Sequence, residues 1–278
     1  MSEHRPWAPT SAEYLRRLAA SGQPATSPAP ATQLRAAQSE LTHVYWDHTA
    51  IHFDQISHVG VEKARHRFRA SIPDLVWNAA ALEGNTFTLP EVRTLLDGTT
   101  VDGKRLEEER QILALSEGYS LVDELVGAGA FRVDKQTANR IHGLIARHEA
   151  IEAGHFRGEG TATGGGNVRL ANGGFVEGVP SDDLADRWDD LISYISDLAD
   201  PRERALAFNA SATRTQYYFD GNKRTARLMM TGELMANGFD SVNIPNSRRL
   251  EFNHALDELF TTSDATNLMR FTASCAMR

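Results

Sequence analysis

The chain has 278 residues, of which 41% are hydrophobic and 24% are charged. These ordinary globular proportions exclude a disordered chain, a collagen-like repeat and a coiled-coil rod. Acidic residues outnumber basic ones by 37 to 29, and the resulting net charge of −8 argues against a nucleic-acid coat or a polybasic membrane anchor.

The lone cysteine, Cys275, allows neither an intrachain disulfide nor a cysteine-based zinc site. No segment has the apolar run of a signal peptide or of a membrane span. We therefore expect a cytoplasmic protein that binds neither nucleic acid nor membrane.

The first 34 residues differ in composition from the rest of the chain. Thr10 and Glu13 have the spacing of a capping box, which predicts a short helix that ends near Gly22. The residues after it are rich in Pro, Ala, Ser and Thr, a composition that cannot bury a core. We predict an N-terminal arm and linker over residues 1–34 and one domain over residues 35–278.

From residue 35 onward, apolar residues recur every three or four positions, which predicts a mostly helical domain. Thr88 and Glu91 form a second capping-box pattern, and Gly98 follows the predicted helix. The same periodicity predicts helices within residues 105–129, 136–149, 181–198 and 225–238.

Residues 157–180 interrupt the helical periodicity. Glycine is too dense there for a helix, while Val168 and Leu170 alternate with Arg169 ahead of the turn residues Asn172-Gly173-Gly174. This pattern predicts a short β-hairpin, so the predicted fold class is all-α with one hairpin.

Residues 214–227 concentrate positive charge within an acidic chain. One acidic residue stands there against four basic ones, which are Arg214, Lys223, Arg224 and Arg227. Gly221 permits a positive φ or a close backbone approach, and the first amides of the following helix favour an anion. Asp220 is placed to hold Mg²⁺ that bridges phosphate oxygens. On these residues alone two interpretations stay open: a phosphate-binding turn, or a surface turn followed by a solvated basic helix face.

The same segment resembles the signature loop of Fic domain proteins, whose pattern is His-x-Phe-x-Asp/Glu-Gly-Asn-Gly/Lys-Arg-x-x-Arg. Tyr218 takes the place of the Phe, and Gln216 stands where the family has its catalytic histidine. The residues that agree with the pattern are Asp220, Gly221, Asn222, Lys223, Arg224 and Arg227.

The resemblance extends over about residues 70–240. The segment around Glu83 is similar to the family's inhibitory helix, although Ala79 stands where that motif usually opens with Ser or Thr. Residues 141–145 and 154–158, followed by the hairpin, resemble a helix and the target-binding flap of the family. The implied fold is a Fic-like helical domain with a short β-hairpin flap.

The resemblance implies that the chain binds ATP with Mg²⁺ and transfers AMP to a hydroxyl of a protein target. By that similarity Asp220 would bind the metal and the turn Gly221–Lys223 would hold the α-phosphate, while Arg224 and Arg227 would hold the outer phosphates. Glu83 would pair with Arg227 and block the γ-phosphate position, because a carboxylate competes with phosphate for the same donors.

Gln216 is the departure that matters most for activity. The family's histidine takes a proton from the target hydroxyl, a role worth about 10²–10⁴-fold in rate, whereas an amide can only orient a group. Three alternatives stay open: slow transfer with another base, nucleotide binding without transfer, or a different reaction on a phosphate-containing substrate. Tyr217 and His155 are the nearest substitute bases, although a tyrosine hydroxyl, whose pKa is about 10, would need strong activation.

Other features have more ordinary interpretations. His48 and His52 lie four residues apart, a metal-binding spacing if helical, but we expect them to be solvated or packed in the core. We expect His142 to be packed and the glycine-rich residues 158–166 to form a flap loop. By the same resemblance, a protein target would dock on the flap near residues 167–177. The sequence does not decide whether the chain forms a homo-oligomer.

Overall fold

A computed structural model describes residues 35–36, 38–170 and 173–277. The predicted arm over residues 1–34, with its helix near Thr10, lies outside the described residues, and so does Asn172 of the predicted hairpin turn. The arm and its boundary with the domain therefore stay predictions.

The described residues form a helical domain with one small antiparallel ribbon. The ribbon consists of β1 (Val168–Arg169) and β2 (Phe175–Val176), in which Val168 pairs with Val176 and Arg169 pairs with Phe175. The prediction of an all-α fold with a short hairpin is thereby confirmed. The helices are α1 (Val61–Ala70), α2 (Ile72–Leu82), α3 (Leu89–Leu96), α4 (Leu106–Gly127), α5 (Lys135–Ile145), α6 (Leu184–Ser196), α7 (Pro201–Thr215), α8 (Asn222–Ala236), α9 (Arg249–Thr262) and α10 (Thr266–Ala273).

Helix α8 lies at the centre of the domain. It packs against α7, α4 and α5, and nearly all of its side chains are buried. Because it is covered on several faces, its apolar residues, such as Leu228, Met229 and Leu234, do not form a single stripe. The core therefore fixes the position of the turn that precedes α8.

Local sequence signals set the ends of the outer helices. The Thr88 N–H donates to the Glu91 carboxylate at 2.7 Å and completes the capping box of α3. In α6 the predicted stripe is buried at Leu184, Trp188 and Leu191. None of the helices in the described ranges is long and apolar enough to cross a membrane.

The two histidines with metal-binding spacing do not share a helix. His48 begins a 3-10 turn, His48–Ala50, and its Nδ1 lies 2.9 Å from Oε1 of Glu203, while His52 precedes a separate 3-10 turn. Among the described residues no three His, Cys, Asp or Glu side chains are grouped so that they could hold a metal ion.

Candidate functional site

An open cavity of about 440 Å³ lies at the N-terminal end of α8. Glu83 lines it at the end of α2, and residues of the hairpin and of α9 line it as well. Most of the predicted site residues thus come together here. The lining residues that bear on the site are Glu83, Arg169, Gln216, Asp220, Gly221, Asn222, Lys223, Arg224, Asn253 and Phe260.

Two of the predicted basic residues do not line this cavity. Arg227 contacts the lining residue Glu83, with Nη2 3.6 Å from Oε1 of the carboxylate. Arg214 does not line the cavity either. The four basic residues that lie close together in the sequence therefore do not all line the cavity.

Gly221 shapes the turn before α8. Its φ of +71° lies in the left-handed region, and a Cβ added to it would lie 3.0 Å from Cβ of Ala146 and 3.4 Å from Nε2 of His142. The carbonyl of Gly221 accepts hydrogen bonds from the N–H and the hydroxyl of Thr225 at 2.9 and 3.0 Å. Glycine is thus required for its conformation and for its packing, and the first amides of α8 lack intrahelical partners at the cavity.

The Asn222 side chain holds the loop together. Its Oδ1 accepts the N–H of Tyr218 at 2.8 Å, and its Nδ2 donates to the Tyr218 carbonyl at 2.7 Å and to Oε1 of Gln216 at 3.0 Å. Both N–H donors of the amide are used, so a contact from Asn222 to a phosphate would have to come from its backbone N–H.

Gln216 ends α7 in the left-handed region, with φ +58° and ψ +63°. Its Nε2 donates to the Thr213 carbonyl at 2.6 Å, while its Oε1 accepts from Asn222. Both ends of the amide are therefore engaged, one by the last turn of α7 and the other by the loop. The side chain orients the loop, and it offers no group that could take a proton from a substrate hydroxyl.

The two substitute bases are poorly suited to that role. Tyr217 is 1% exposed, its ring stacks on Phe156 with 4.8 Å between centroids, and burial raises its pKa further above the ordinary range. His155 is exposed and is not among the residues that line the cavity.

His142 supports the turn from beneath and is fully buried, as expected. Its Nδ1 accepts the Gly154 N–H at 2.8 Å, so its Nε2 carries the proton and donates to the Asp220 carbonyl at 2.9 Å. Its ring stacks on Tyr218 with 3.8 Å between centroids. Burial lowers the pKa of His142 to about 4, so the imidazole is neutral at physiological pH.

Glu83 lies against the basic residues of α8. Its Oε2 is 3.0 Å from Nζ of Lys223, a shorter approach than the 3.6 Å that separates its Oε1 from Arg227. Burial opposes ionisation of this carboxyl, but the charges of Lys223, Arg227 and Arg224 prevail and lower its pKa. Glu83 is therefore a carboxylate, and Lys223 is its nearer partner.

The guanidinium of Arg227 is under-satisfied. Its Nη1 and Nη2 are buried and have no hydrogen-bond partner in the part of the chain that the structure describes. The 3.6 Å approach of Glu83 is too long for a hydrogen bond. A buried donor without an acceptor costs about 1–3 kcal/mol, so Arg227 would gain from a better placed anion.

Arg224 has a partner that the sequence did not indicate. Its Nη1 and Nη2 donate to the two oxygens of Glu149 at 2.9 and 2.5 Å, and its side chain is only 3% exposed. Oδ1 of Asp220 lies 3.6 Å away as well. The expected contact of Arg224 with outer phosphates would have to come from the N–H donors that this bidentate pair leaves free.

Asp220 fits the expected role in metal binding. Its side chain is 61% exposed and borders the cavity, although its Oδ1 also accepts the Gly221 N–H at 2.5 Å. Mg²⁺ characteristically takes one or two carboxylates together with phosphate oxygens and water. Since the described residues contain no cluster of three ligating side chains, such an ion would need the phosphates of a nucleotide to complete its coordination.

Known proteins are similar to this chain in sequence. No family model matches it. The protein adenylyltransferase Fic of Drosophila willistoni is 31% identical over 209 residues, and that of Drosophila ananassae is 30% identical over 211 residues. Each match covers 72% of this chain and 39% of the relative, so the chain spans about two fifths of the length of these curated relatives.

Solved structures share the fold. The Fic-1 fragment of Caenorhabditis elegans superposes with a TM-score of 0.65 and 20% identity over 96% of this chain and 75% of that one. A Fic domain containing signaling protein of Bacteroides thetaiotaomicron gives 0.65 and 17% identity over 88% and 91%. Identity to the adenylyltransferases over most of the chain, together with this shared fold, shows that the chain belongs to the Fic domain family.

Proposed function

We propose that the chain binds ATP with Mg²⁺ in this cavity and transfers AMP to a hydroxyl of a protein target. In this proposal Glu83 restrains the activity, and Gln216 makes it slow. The relatives at about 30% identity are adenylyltransferases, which supports the reaction class. The observation that carries the proposal is the loose contact of Glu83 with Arg227, whose two buried terminal nitrogens have no hydrogen-bond partner among the described residues.

The residues around the turn suit a triphosphate. The amides of Gly221–Lys223 lie at the start of α8, where the helix dipole favours an anion. Lys223 and Arg227 become available to phosphate oxygens once the Glu83 side chain turns away. Asp220 would hold the metal, which when bound neutralises charge on the phosphates.

Transfer requires a proton to leave the target. The hydroxyl oxygen forms a bond to the α-phosphorus, the bond from that phosphorus to the diphosphate breaks, and the hydroxyl proton passes to an acceptor. Gln216 cannot be that acceptor, so the proton passes to water or to the departing diphosphate. Loss of a positioned base typically costs about 10²–10⁴-fold in rate.

The hairpin is the proposed docking surface for the target. Arg169 borders the cavity, and Phe175, opposite it on the other strand, is 71% exposed. Docking near residues 167–177 and a cytoplasmic location remain predictions.

A second candidate is a nucleotide-binding module that does not transfer. The engagement of both ends of the Gln216 amide favours it, because the side chain then serves the conformation of the loop. In that case the nucleotide would act as a regulatory ligand.

Transfer of label from ATP labelled at the α-phosphate separates the two candidates. The wild type, Glu83→Gly, Gln216→His and the double variant are incubated with a cell lysate, and calorimetry measures the binding of ATP to the same four proteins. We expect labelled protein to increase from the wild type through each single variant to the double variant. If ATP binds but none of the four proteins transfers label to a protein, the non-transferring module is established. If ATP does not bind, both candidates are excluded.

A further inference from the structure

Arg157 is a buried arginine whose guanidinium, within the described ranges, donates its hydrogen bonds to backbone carbonyls alone. It lies between α5 and β1 and is 3% exposed. Its acceptors are the carbonyls of Val179 at 2.7 Å, Gln216 at 2.8 Å, Gly165 at 3.1 Å and Gly164 at 3.4 Å.

These acceptors belong to three separate segments. Gly164 and Gly165 precede β1, Val179 follows β2, and Gln216 ends α7. The backbone N–H of Arg157 also donates to the Tyr217 carbonyl at 2.9 Å. One residue thus joins both ends of the hairpin to two successive carbonyls of the signature loop.

The glycines of this region are fitted around the guanidinium. A Cβ on Gly166 would lie 2.5 Å from Cζ of Arg157, and a Cβ on Gly165 would lie 3.1 Å from its Cδ. A Cβ on Gly178 would lie 2.4 Å from the Gly166 carbonyl oxygen. The base of the hairpin therefore closes around this side chain in a way that other residue types would obstruct.

The chemistry of these contacts favours arginine. Burial lowers the pKa of the Arg157 guanidinium, and its charge is met by carbonyl dipoles. A planar fork with five N–H donors can reach carbonyls in several directions, whereas a lysine ammonium is a point charge with three donors. The fixed geometry of the fork sets the distance between the carbonyls that it joins.

We propose that Arg157 is a positioning residue that sets the hairpin against Gln216, so that a segment docked on the hairpin is presented at a fixed distance from the cavity. The positioning is a property of the ligand-free fold. Only its use in presenting a target rests on the proposed function.

Hydrogen exchange on the ligand-free full chain tests this coupling. In Arg157→Lys, we expect exchange at least about tenfold faster in residues 166–178 and in residues 216–219 than in the wild type, with α4 unchanged. The Leu170 N–H, which donates to the Gly174 carbonyl at 2.8 Å, reports on the hairpin. Arg204→Lys is the matched control, since Arg204 is a largely buried arginine bonded to Glu233, and it should leave both segments unchanged.

A second pair of variants keeps the test independent of whether Arg157→Lys folds. Gly166→Ala should displace the guanidinium and accelerate exchange in both segments more than Gly164→Ala, which carries the same cost of a positive φ but has open space around its Cβ. Equal exchange in these two variants, no acceleration in Arg157→Lys, or equal acceleration in α4 would overturn the proposal. ATP binding is measured separately on the wild type, so its absence would reject the proposed function without touching this result.

Discussion

The Glu149 carboxylate pairs with both terminal nitrogens of Arg224, at 2.9 and 2.5 Å, while Glu83 approaches Arg227 no closer than 3.6 Å. The two arginines lie three residues apart on α8, and both are largely buried. Their environments nevertheless differ in kind. Both terminal nitrogens of Arg224 donate to a carboxylate from the segment after α5, whereas both terminal nitrogens of Arg227 lack a hydrogen-bond partner among the described residues. The first therefore ties the turn to the rest of the domain, and the second is the one to which the proposed function assigns a phosphate.

Removing the charge of Glu149 should destabilise the fold. Glu149→Gln removes the nearer countercharge of the buried Arg224, and we expect a loss of about 2–4 kcal/mol in the free energy of unfolding, measured with urea. Glu117→Gln is the matched control, because Glu117 also pairs bidentately with an arginine, Arg147, but on the surface. That control should lose less than about 1 kcal/mol. Equal losses in the two variants would contradict a structural role for the Glu149–Arg224 pair.

Removing the charge of Glu83 should strengthen nucleotide binding. Glu83→Gln abolishes the ion pair with Lys223 and frees Arg227, so we expect ATP to bind about tenfold more tightly, which corresponds to about 1.4 kcal/mol. Calorimetry measures the affinity, and Glu62→Gln, at a carboxylate that is 81% exposed, is the control. Unchanged or weaker binding in Glu83→Gln would leave Glu83 as an ordinary residue at the end of α2.

The lowered pKa of Glu83 sets the pH range of its ion pairs. A carboxyl whose pKa is lower in the folded state stabilises the fold above the pKa of the unfolded chain, and this contribution is lost as the pH falls through the folded pKa. The difference in unfolding free energy between the wild type and Glu83→Gln should therefore be constant above about pH 5 and shrink in acid. A difference that grows as the pH falls would show that burial prevails over the neighbouring charges.

The helices could be predicted because their signals are local. The Thr88 and Glu91 capping box and the stripe of α6 are contained within a few turns of chain, and the hairpin was indicated by alternation around Arg169. The signature loop was recognised for the same reason. The pairing of Arg224 with Glu149 could not be predicted, since the two residues lie 75 positions apart with no periodic relation between them.

The sequence also could not show which side chains of the loop are already engaged. Asn222 and Gln216 were predicted as nucleotide-binding and catalytic positions from the motif alone. In the fold their amides bond to each other and to backbone carbonyls of the loop and of the last turn of α7. These hydrogen bonds depend on backbone geometry, because the left-handed conformation of Gln216 brings its amide back toward Thr213.

The buried imidazole of His142 predicts a pH dependence of stability. Its pKa is lowered to about 4 by burial, below the value of about 6.5 expected in an unfolded chain. The unfolded chain therefore binds more protons between these values, so stability is complete above about pH 6.5 and falls toward pH 4. The wild type should lose about 3 kcal/mol more than His142→Gln over this range in urea unfolding. Parallel pH profiles for the two proteins would show that His142 titrates normally.

Replacing Gly221 should disturb the turn through both conformation and packing. Gly221→Ala places a Cβ 3.0 Å from Ala146 at a φ of +71°, so we expect a loss of about 2–4 kcal/mol in unfolding free energy and weaker ATP binding. Gly98→Ala, at φ +87° with nothing within 4 Å, is the matched control and should lose only about 1–2 kcal/mol. Because the two variants share the conformational cost, the excess in Gly221→Ala measures the close packing against Ala146 and His142. If the losses are equal, the turn before α8 needs glycine only for its backbone conformation, and the contact with α5 does not hold it in place.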